Sequence, residues 1–183
     1  MANPLLVVDV QNGFLNRYTD HLPDRVAELI ERGEHDPILF TRFVNLPDGP
    51  YPRYLDWDEC MGPPETDIAP VLCQYVHEDR IFTKPGYAGI SEELAQYLVG
   101  QQFEQISIVG IDTDMCVLKV TMDIFDLNIR PILLVDCCGS TAGLQSHLAG
   151  LAVLARNIGA HNLRDAGLSG GMMAAPIHEA RST

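Results

Sequence analysis

Three stretches of this chain are apolar with almost no alternation: Leu5-Leu6-Val7-Val8-Asp9-Val10, the run from Ile106 to Ile111, and Pro131-Ile132-Leu133-Leu134-Val135-Asp136-Cys137-Cys138. A strand that is apolar on both faces must be covered on both faces, which is the setting of a parallel sheet between layers of helix. The segments between these strands carry helical spacing. Val26, Ala27, Leu29 and Ile30 recur at that spacing within Leu22 to Arg32, and Gly33 is a plausible C-terminal stop. Pro37 to Val44 then reads as a second strand, so the chain opens with a βαβ unit.

The alternation continues. Asp67 to Val76 predicts a short helix, and Arg80 to Tyr87 a short strand closed by the Pro85-Gly86 turn. Ser91 is an N-cap with Glu92 and Glu93 in the first turn of a helix that runs to Gly100. A helix follows the central strand to about Leu127, and another spans Gln145 to Ile158 before Gly159. The tail after Asp165 shows no clear element, and no repeat or linker divides the 183 residues, so one domain is expected over 1–183.

Residues 45–65 break the pattern. Turn-rich pieces, Asn45 to Pro52 and Gly62-Pro63-Pro64, flank Tyr51, Tyr54 and Trp57. A loop this long in a compact domain is usually functional. Two forms fit: an Ω-loop packing its own aromatics, or a lid over a substrate.

A net charge of −13 argues against a phosphate-binding surface, so nucleic acid is not an expected partner. The longest apolar runs fall well short of the ~20 residues that span a bilayer, and no signal-peptide pattern precedes the first strand. The five cysteines, Cys60, Cys73, Cys116, Cys137 and Cys138, have neither CxxC spacing nor an even count, so no zinc pattern or disulfide framework is visible. A reducing cytoplasm is the default. Cys137 and Cys138, at the end of a buried strand, read as packing rather than as a redox pair.

Chemistry is expected at the carboxyl ends of the strands, where open α/β sheets place their ligands. Asp9, Lys84 and Cys116 each sit at such an end. Cys116 falls where a strand turns into a helix, facing unpaired amides and a positive dipole that favour thiolate, with Gly110 allowing the turn. A carboxylate can take the thiol proton, an ammonium can stabilise the thiolate, and the thiolate can attack a carbonyl carbon. Each residue alone has a plainer explanation: a buried small hydrophobe, a helix cap, a snorkelling lysine. Gln11, two residues after Asp9, Phe14, Tyr87 and Thr113 are substrate-binding candidates by proximity in sequence, with core or turn roles as the alternative.

Val7-Val8-Asp9-Val10-Gln11-Asn12-Gly13-Phe14, Thr83-Lys84-Pro85-Gly86-Tyr87 and Gly110-Ile111-Asp112-Thr113-Asp114-Met115-Cys116-Val117, in that order, resemble the isochorismatase-like cysteine hydrolases. The likeness covers about Pro4 to Asn162, is thin over 45–65 and does not extend to the tail. It implies a Rossmann-like three-layer α/β/α sandwich with a mostly parallel sheet, and amide-type hydrolysis by a Cys–Asp–Lys triad. By position, Cys116 is the nucleophile, Asp9 the general base and acid, and Lys84 orients Asp9 and lowers the thiol pKa. The resemblance further implies a cis peptide before Asp112 and an oxyanion hole made by the backbone N–H groups of Asp112 and Cys116.

Two departures refine it. Nicotinamidases of this family hold a metal through an Asp-x-His motif after the second strand. Here Asn45-Leu46-Pro47-Asp48 stands there, with no histidine between His35 and His77, so neither a catalytic metal nor nicotinamide as substrate is expected. No cofactor is expected either. Relatives acting on isochorismate commonly lack the cysteine, so Cys116 points to the C–N bond of a small amide, ureido or carbamoyl compound. The alternatives are a weakly catalytic or non-catalytic relative used for binding or assembly, and a vinyl-ether hydrolase. A redox sensor lacks an obvious resolving partner for Cys116. The resemblance also implies a homo-oligomer, dimer or larger, which suits apolar helices such as Leu148 to Ile158.

Overall fold

The computed structural model describes residues 3–87 and 89–168. Six parallel strands form one sheet in the order β3-β2-β1-β4-β5-β6. They are β1 (Leu5–Val8), β2 (Ile38–Phe43), β3 (Ile81–Lys84), β4 (Gln105–Ile111), β5 (Arg130–Gly139) and β6 (Leu163–Arg164). The order runs outward from β1 in one direction and from β4 in the other. The crevice between them, at the carboxyl ends, is the topological switch point where such sheets bind ligands.

The non-alternating strands divide their side chains between two cores. Leu6, Val8, Leu39, Ile106, Ile108 and Leu133 pack with helices α3 (Glu92–Gly100), α4 (Cys116–Asp126) and α5 (Leu144–Leu154). Leu5, Val7, Phe40, Val109 and Ile132 pack on the other face against α1 (Leu22–Glu31) and Leu72. Each fully buried side chain of this type contributes about 1.5–3 kcal/mol, so both helical layers are held by the strand sequences themselves. This is the three-layer sandwich expected from the apolar runs. No helix among the described residues is long and apolar enough to cross a membrane.

Several elements differ from expectation. The short helix expected over Asp67 to Val76 is a 3₁₀ turn at Pro70–Tyr75. The residues before it are drawn out beside the chain following β1: Asn12 N–H donates to Asp67 O and Ala69 N–H to Val10 O. Residues 45–65 are not all loop, because Pro50–Leu55 forms a short helix, α2, with proline in its first turn. The last helix keeps α geometry only to Leu154, then widens to a π turn over Ala155–Gly159. Strand β6 has two residues, too few for a periodic signal. Of the expected tail, residues 166–168 are pinned: Arg32 donates to the carbonyls of Ala166 and Gly167, and Leu168 is buried. Residues 169–183 lie outside the described residues.

Gly110 is needed inside β4 rather than at the turn after it. Its φ is +132°, and a Cβ there would lie 2.1 Å from Val8 O. Only a glycine lets β4 press this closely on β1, which brings Asp9 and the turn before Cys116 to one edge.

Candidate active site

Asp9 follows β1 and takes a left-handed backbone, φ +50°. That conformation is uncommon for a non-glycine residue and is well tolerated by aspartate. Thr41 on β2 holds it there, accepting the Asp9 N–H at 3.1 Å and donating its hydroxyl to Asp9 Oδ1 at 2.6 Å. Lys84 is the last residue of β3 and points to the same face as its register partner Phe43. Its Nζ stands 2.7 Å from Asp9 Oδ2 and 3.5 Å from Cys116 Sγ, and 5.6 Å from the Phe43 ring centroid. Cys116 is the first residue of α4. The three residues, 75 and 32 positions apart in the chain, therefore meet in one cluster, with Asp9 and Lys84 at 0% and 1% exposure and Cys116 at 9%.

Burial dominates the electrostatics. Lys84 is opposed by desolvation, yet the Asp9 carboxylate and Cys116 beside it outweigh that cost and raise its pKa, so it stays an ammonium. Cys116 goes the other way from expectation. Desolvation pushes its thiol well above the ordinary range, Asp9 adds to this, and Lys84 only partly opposes it. The direction is opposite to the thiolate anticipated from the helix start, because the desolvation of a 9% exposed sulfur outweighs what the neighbouring ammonium returns.

The turn from Ile111 to Met115 carries the candidate oxyanion donors. The Ile111–Asp112 peptide is cis. Asp112 O accepts from Met115 and Val117 N–H, and Gly139 O accepts from Thr113 N–H. Among the described residues, no acceptor takes the N–H of Asp112 or of Cys116. Asp112's own carboxyl is turned to the segment after β5, where Oδ1 accepts from Thr141 N–H and Oδ2 from the Thr141 hydroxyl. Desolvation raises this carboxyl to about 6 against the two Thr141 bonds that lower it, with Asp114 and Asp9 adding to the rise.

The other sequence candidates fall into two groups. Gln11 and Thr113 are spent on the fold. Gln11 is fully buried, donates to the carbonyls of Phe43 and Thr66 and accepts from Phe43 N–H, so neither side-chain N–H is left for a substrate. The left-handed turn at Asp9 also ends the extended run that would have kept Gln11 beside it. The Thr113 hydroxyl donates to Gly139 O, so its 2.8 Å contact with His147 must be donated by His147 Nδ1. Phe14 and Tyr87, by contrast, belong to an aromatic group that reaches the cluster. Phe14 lies 5.8 Å from Phe43 and 6.3 Å from Trp57, while Tyr51 of α2 meets Phe43, Trp57 and Tyr87 edge-on at 5.2, 5.6 and 5.0 Å. The pKa of Tyr51 and that of Tyr87 are raised first by burial, and Cys116 contributes to both. Residues 45–65 thus pack their own aromatics, and Tyr51 among them is near enough to feel Cys116 and Asp9.

Asn45 is buried, with Nδ2 donated to the Trp57 and Glu59 carbonyls. Among the described residues no three His, Cys, Asp or Glu side chains converge as a metal would require. A surface cleft of about 540 Å³, lined by residues including Asn12, Arg42 and Asp67, contains none of Asp9, Lys84 and Cys116. Sequence patterning missed Thr41, Thr141 and His147. Each matters through a partner 29–34 positions away, and a threonine in a strand or turn carries no signal of that.

Comparison with known proteins agrees with the architecture. The chain resembles in structure an isochorismatase-like hydrolase from Alkaliphilus metalliredigens (TM-score 0.73, 22% identity, 86% of this chain and 92% of that one). It likewise resembles N-carbamoylsarcosine amidase from Thermoplasma acidophilum (0.74, 19%, 93% and 100%) and a nicotinamidase from Bacillus subtilis (0.71, 19%, 87% and 98%). At these identities the structures speak for the fold alone. The family model described as the isochorismatase domain matches residues 3–163, so the chain belongs to the isochorismatase domain family.

Proposed function

We propose that this protein is a metal-independent cysteine hydrolase that cleaves a C–N bond of a small amide, ureido or carbamoyl compound through a thioester. One observation carries the proposal: a buried Lys84 ammonium touches both the Asp9 carboxylate and the Cys116 sulfur, at 2.7 and 3.5 Å. A carboxylate, an ammonium and a thiol sharing one desolvated edge form a nucleophile with its base, and the base has its own orienter.

Burial pushes the Cys116 thiol up, which favours deprotonation coupled to attack over a standing thiolate. Asp9 takes the thiol proton as Sγ bonds to the carbonyl carbon, and the N–H groups of Asp112 and Cys116 hold the resulting oxyanion. Asp9 returns the proton to the departing nitrogen as the C–N bond breaks, leaving a thioester. Water, deprotonated by Asp9, then displaces the sulfur, and the acid product and free thiol are released. Lys84 keeps Asp9 oriented and offsets charge on sulfur throughout. Phe14 and Tyr87, with Tyr51 and Trp57, would form the substrate wall, and residues 45–65 the lid. The proposal needs no cofactor, no nucleic acid and no membrane.

A panel of small amides, ureido acids and carbamoyl compounds is the direct test: wild type should turn over at least one, and Cys116→Ala none. Undiminished turnover in Cys116→Ala would sink the assignment. A second reading, a relative that binds without catalysis, draws on the raised Cys116 pKa. It requires that no panel member be hydrolysed although some bind. We also propose a homo-oligomer in the cytoplasm. Leu144, Leu148 and Val153 on α5 are 44–51% exposed, and the five cysteines are free. A monomeric mass by light scattering would contradict the first of these.

A further inference from the structure

We infer that the Asp112 side chain, clamped on Thr141, is a positioning residue for the oxyanion donors. This inference rests on the hydrolase reading above.

The donors bracket a turn with no regular secondary structure of its own, Asp112 opening it after β4 and Cys116 closing it as the first residue of α4. Its aim must therefore come from side contacts, and nearly all of them lead to one neighbour, residues 139–141. Asp112 binds Thr141 twice, through N–H to Oδ1 at 2.5 Å and hydroxyl to Oδ2 at 2.9 Å. Thr113 binds Gly139 O twice, through N–H at 2.9 Å and hydroxyl at 3.0 Å. His147 of α5 donates to the same Thr113 hydroxyl, and Gly150 of α5 leaves so little room that a Cβ would lie 2.7 Å from Thr113 O. The side chains of two consecutive residues thus tie the turn to the end of β5, while the N–H groups of Asp112 and Cys116, like that of Asp114, meet no backbone acceptor among the described residues.

A carboxylate is a costly choice for this task. It is 7% exposed, and Asp114 and Asp9 are the charged groups that act on it. What it supplies is a rigid pair of acceptors, set on the same residue as one of the donors. Losing one end of the clamp frees that residue to shift, and a displacement near 1 Å costs on the order of 100-fold in a positioned reaction. Alkylation of Cys116 develops no oxyanion and has no use for the donors.

The test compares wild type, Asp112→Ala, Asp112→Asn and Thr141→Val. Peptide mass spectrometry follows iodoacetamide labelling of Cys116 with and without isobutyraldehyde. The aldehyde adds reversibly across the S–H bond, sulfur to carbon and proton to oxygen, which places an oxygen at the donors. The expected result is unchanged alkylation in all four proteins. Aldehyde protection should be 10- to 100-fold weaker in Asp112→Ala, weaker to a lesser degree in Thr141→Val, and largely restored in Asp112→Asn. Where a substrate is turned over, kcat should fall in the same order with KM held. Equal protection in wild type and Asp112→Ala, no protection even in wild type, or alkylation lost together with protection would each overturn the inference. Failure of the hydrolase reading looks different: full protection of wild type without hydrolysis of any amide.

Discussion

Two ion pairs among the described residues sit toward the carboxyl ends of strands, Asp136–Arg25 half-buried and Asp9–Lys84 fully buried, and they differ in what is left over once the pair has formed. Asp136, near the end of β5, meets Arg25 at 2.9 Å. Arg25 also donates Nε to Asp136 O, and Ala166 N–H donates to the other carboxylate oxygen, so the network closes on itself. Asp9 meets Lys84 at 2.7 Å, but its Oδ2 makes no well-directed hydrogen bond, and the lysine reaches on to a thiol. The first pair fastens α1 and the segment at Ala166 to the sheet. The second holds a carboxylate and a thiol together on one buried ammonium. On the proposed mechanism, a carboxylate at a strand end is thus a structural tie when saturated, and a reagent when its ammonium is shared with a thiol.

The largest expected effect tests that contrast. Lys84→Met should lower turnover at least about 1,000-fold and also destabilise by about 3–5 kcal/mol, because Asp9 is left charged and unpaired in the core. Arg25→Met should cost about 3 kcal/mol in urea unfolding and leave kcat of the folded protein within two-fold. An equal loss of kcat in both variants would erase the distinction between the pairs.

Next in size is a pH effect at Asp112. Its folded pKa is raised from 3.8 to about 6, so the folded protein binds more protons than the unfolded chain between these values. Stability associated with this group is present below pH 4 and is lost as pH rises through 6. Asp112→Asn should abolish that slope and gain at most about 3 kcal/mol at pH 8, measured by urea unfolding across pH. An unchanged slope would show that Asp112 ionises freely.

The smallest effect concerns the aromatic cover. Tyr87→Phe keeps the 5.0 Å edge contact with Tyr51 and removes one hydroxyl, so KM should change by less than about three-fold while Tyr87→Ala changes it more. Equal KM values in the two variants would remove Tyr87 from the substrate wall.

The sheet, its parallel sense and the two helical layers were legible because burial on both faces is written into each strand locally. The meeting of Asp9, Lys84 and Cys116 was legible for a related reason: each ends or follows a strand, and topology gathers strand ends. What escaped depends on register and burial. Thr41 reaches Asp9 only because Leu6 stands opposite Leu39, a pairing the sequence does not spell. Thr141 meets Asp112 across the β4–β5 edge after a register shift between Ile108 and Gly110. The upward push on the Cys116 thiol was not legible, because a helix start and a lysine are visible in sequence whereas desolvation comes from packed neighbours. Helix α2 hid behind prolines that initiate a helix as readily as they break one.

The central claim is that Cys116 forms a covalent acyl intermediate with Asp9 and Lys84 as its partners. The most direct measurement is mass spectrometry of acid-quenched turnover on the best substrate of the amide panel. The expected result is an acyl mass on the peptide bearing Cys116 in wild type, none in Cys116→Ala, and no turnover in that variant. Turnover by Cys116→Ala, or an acyl group carried on another residue, would contradict the account.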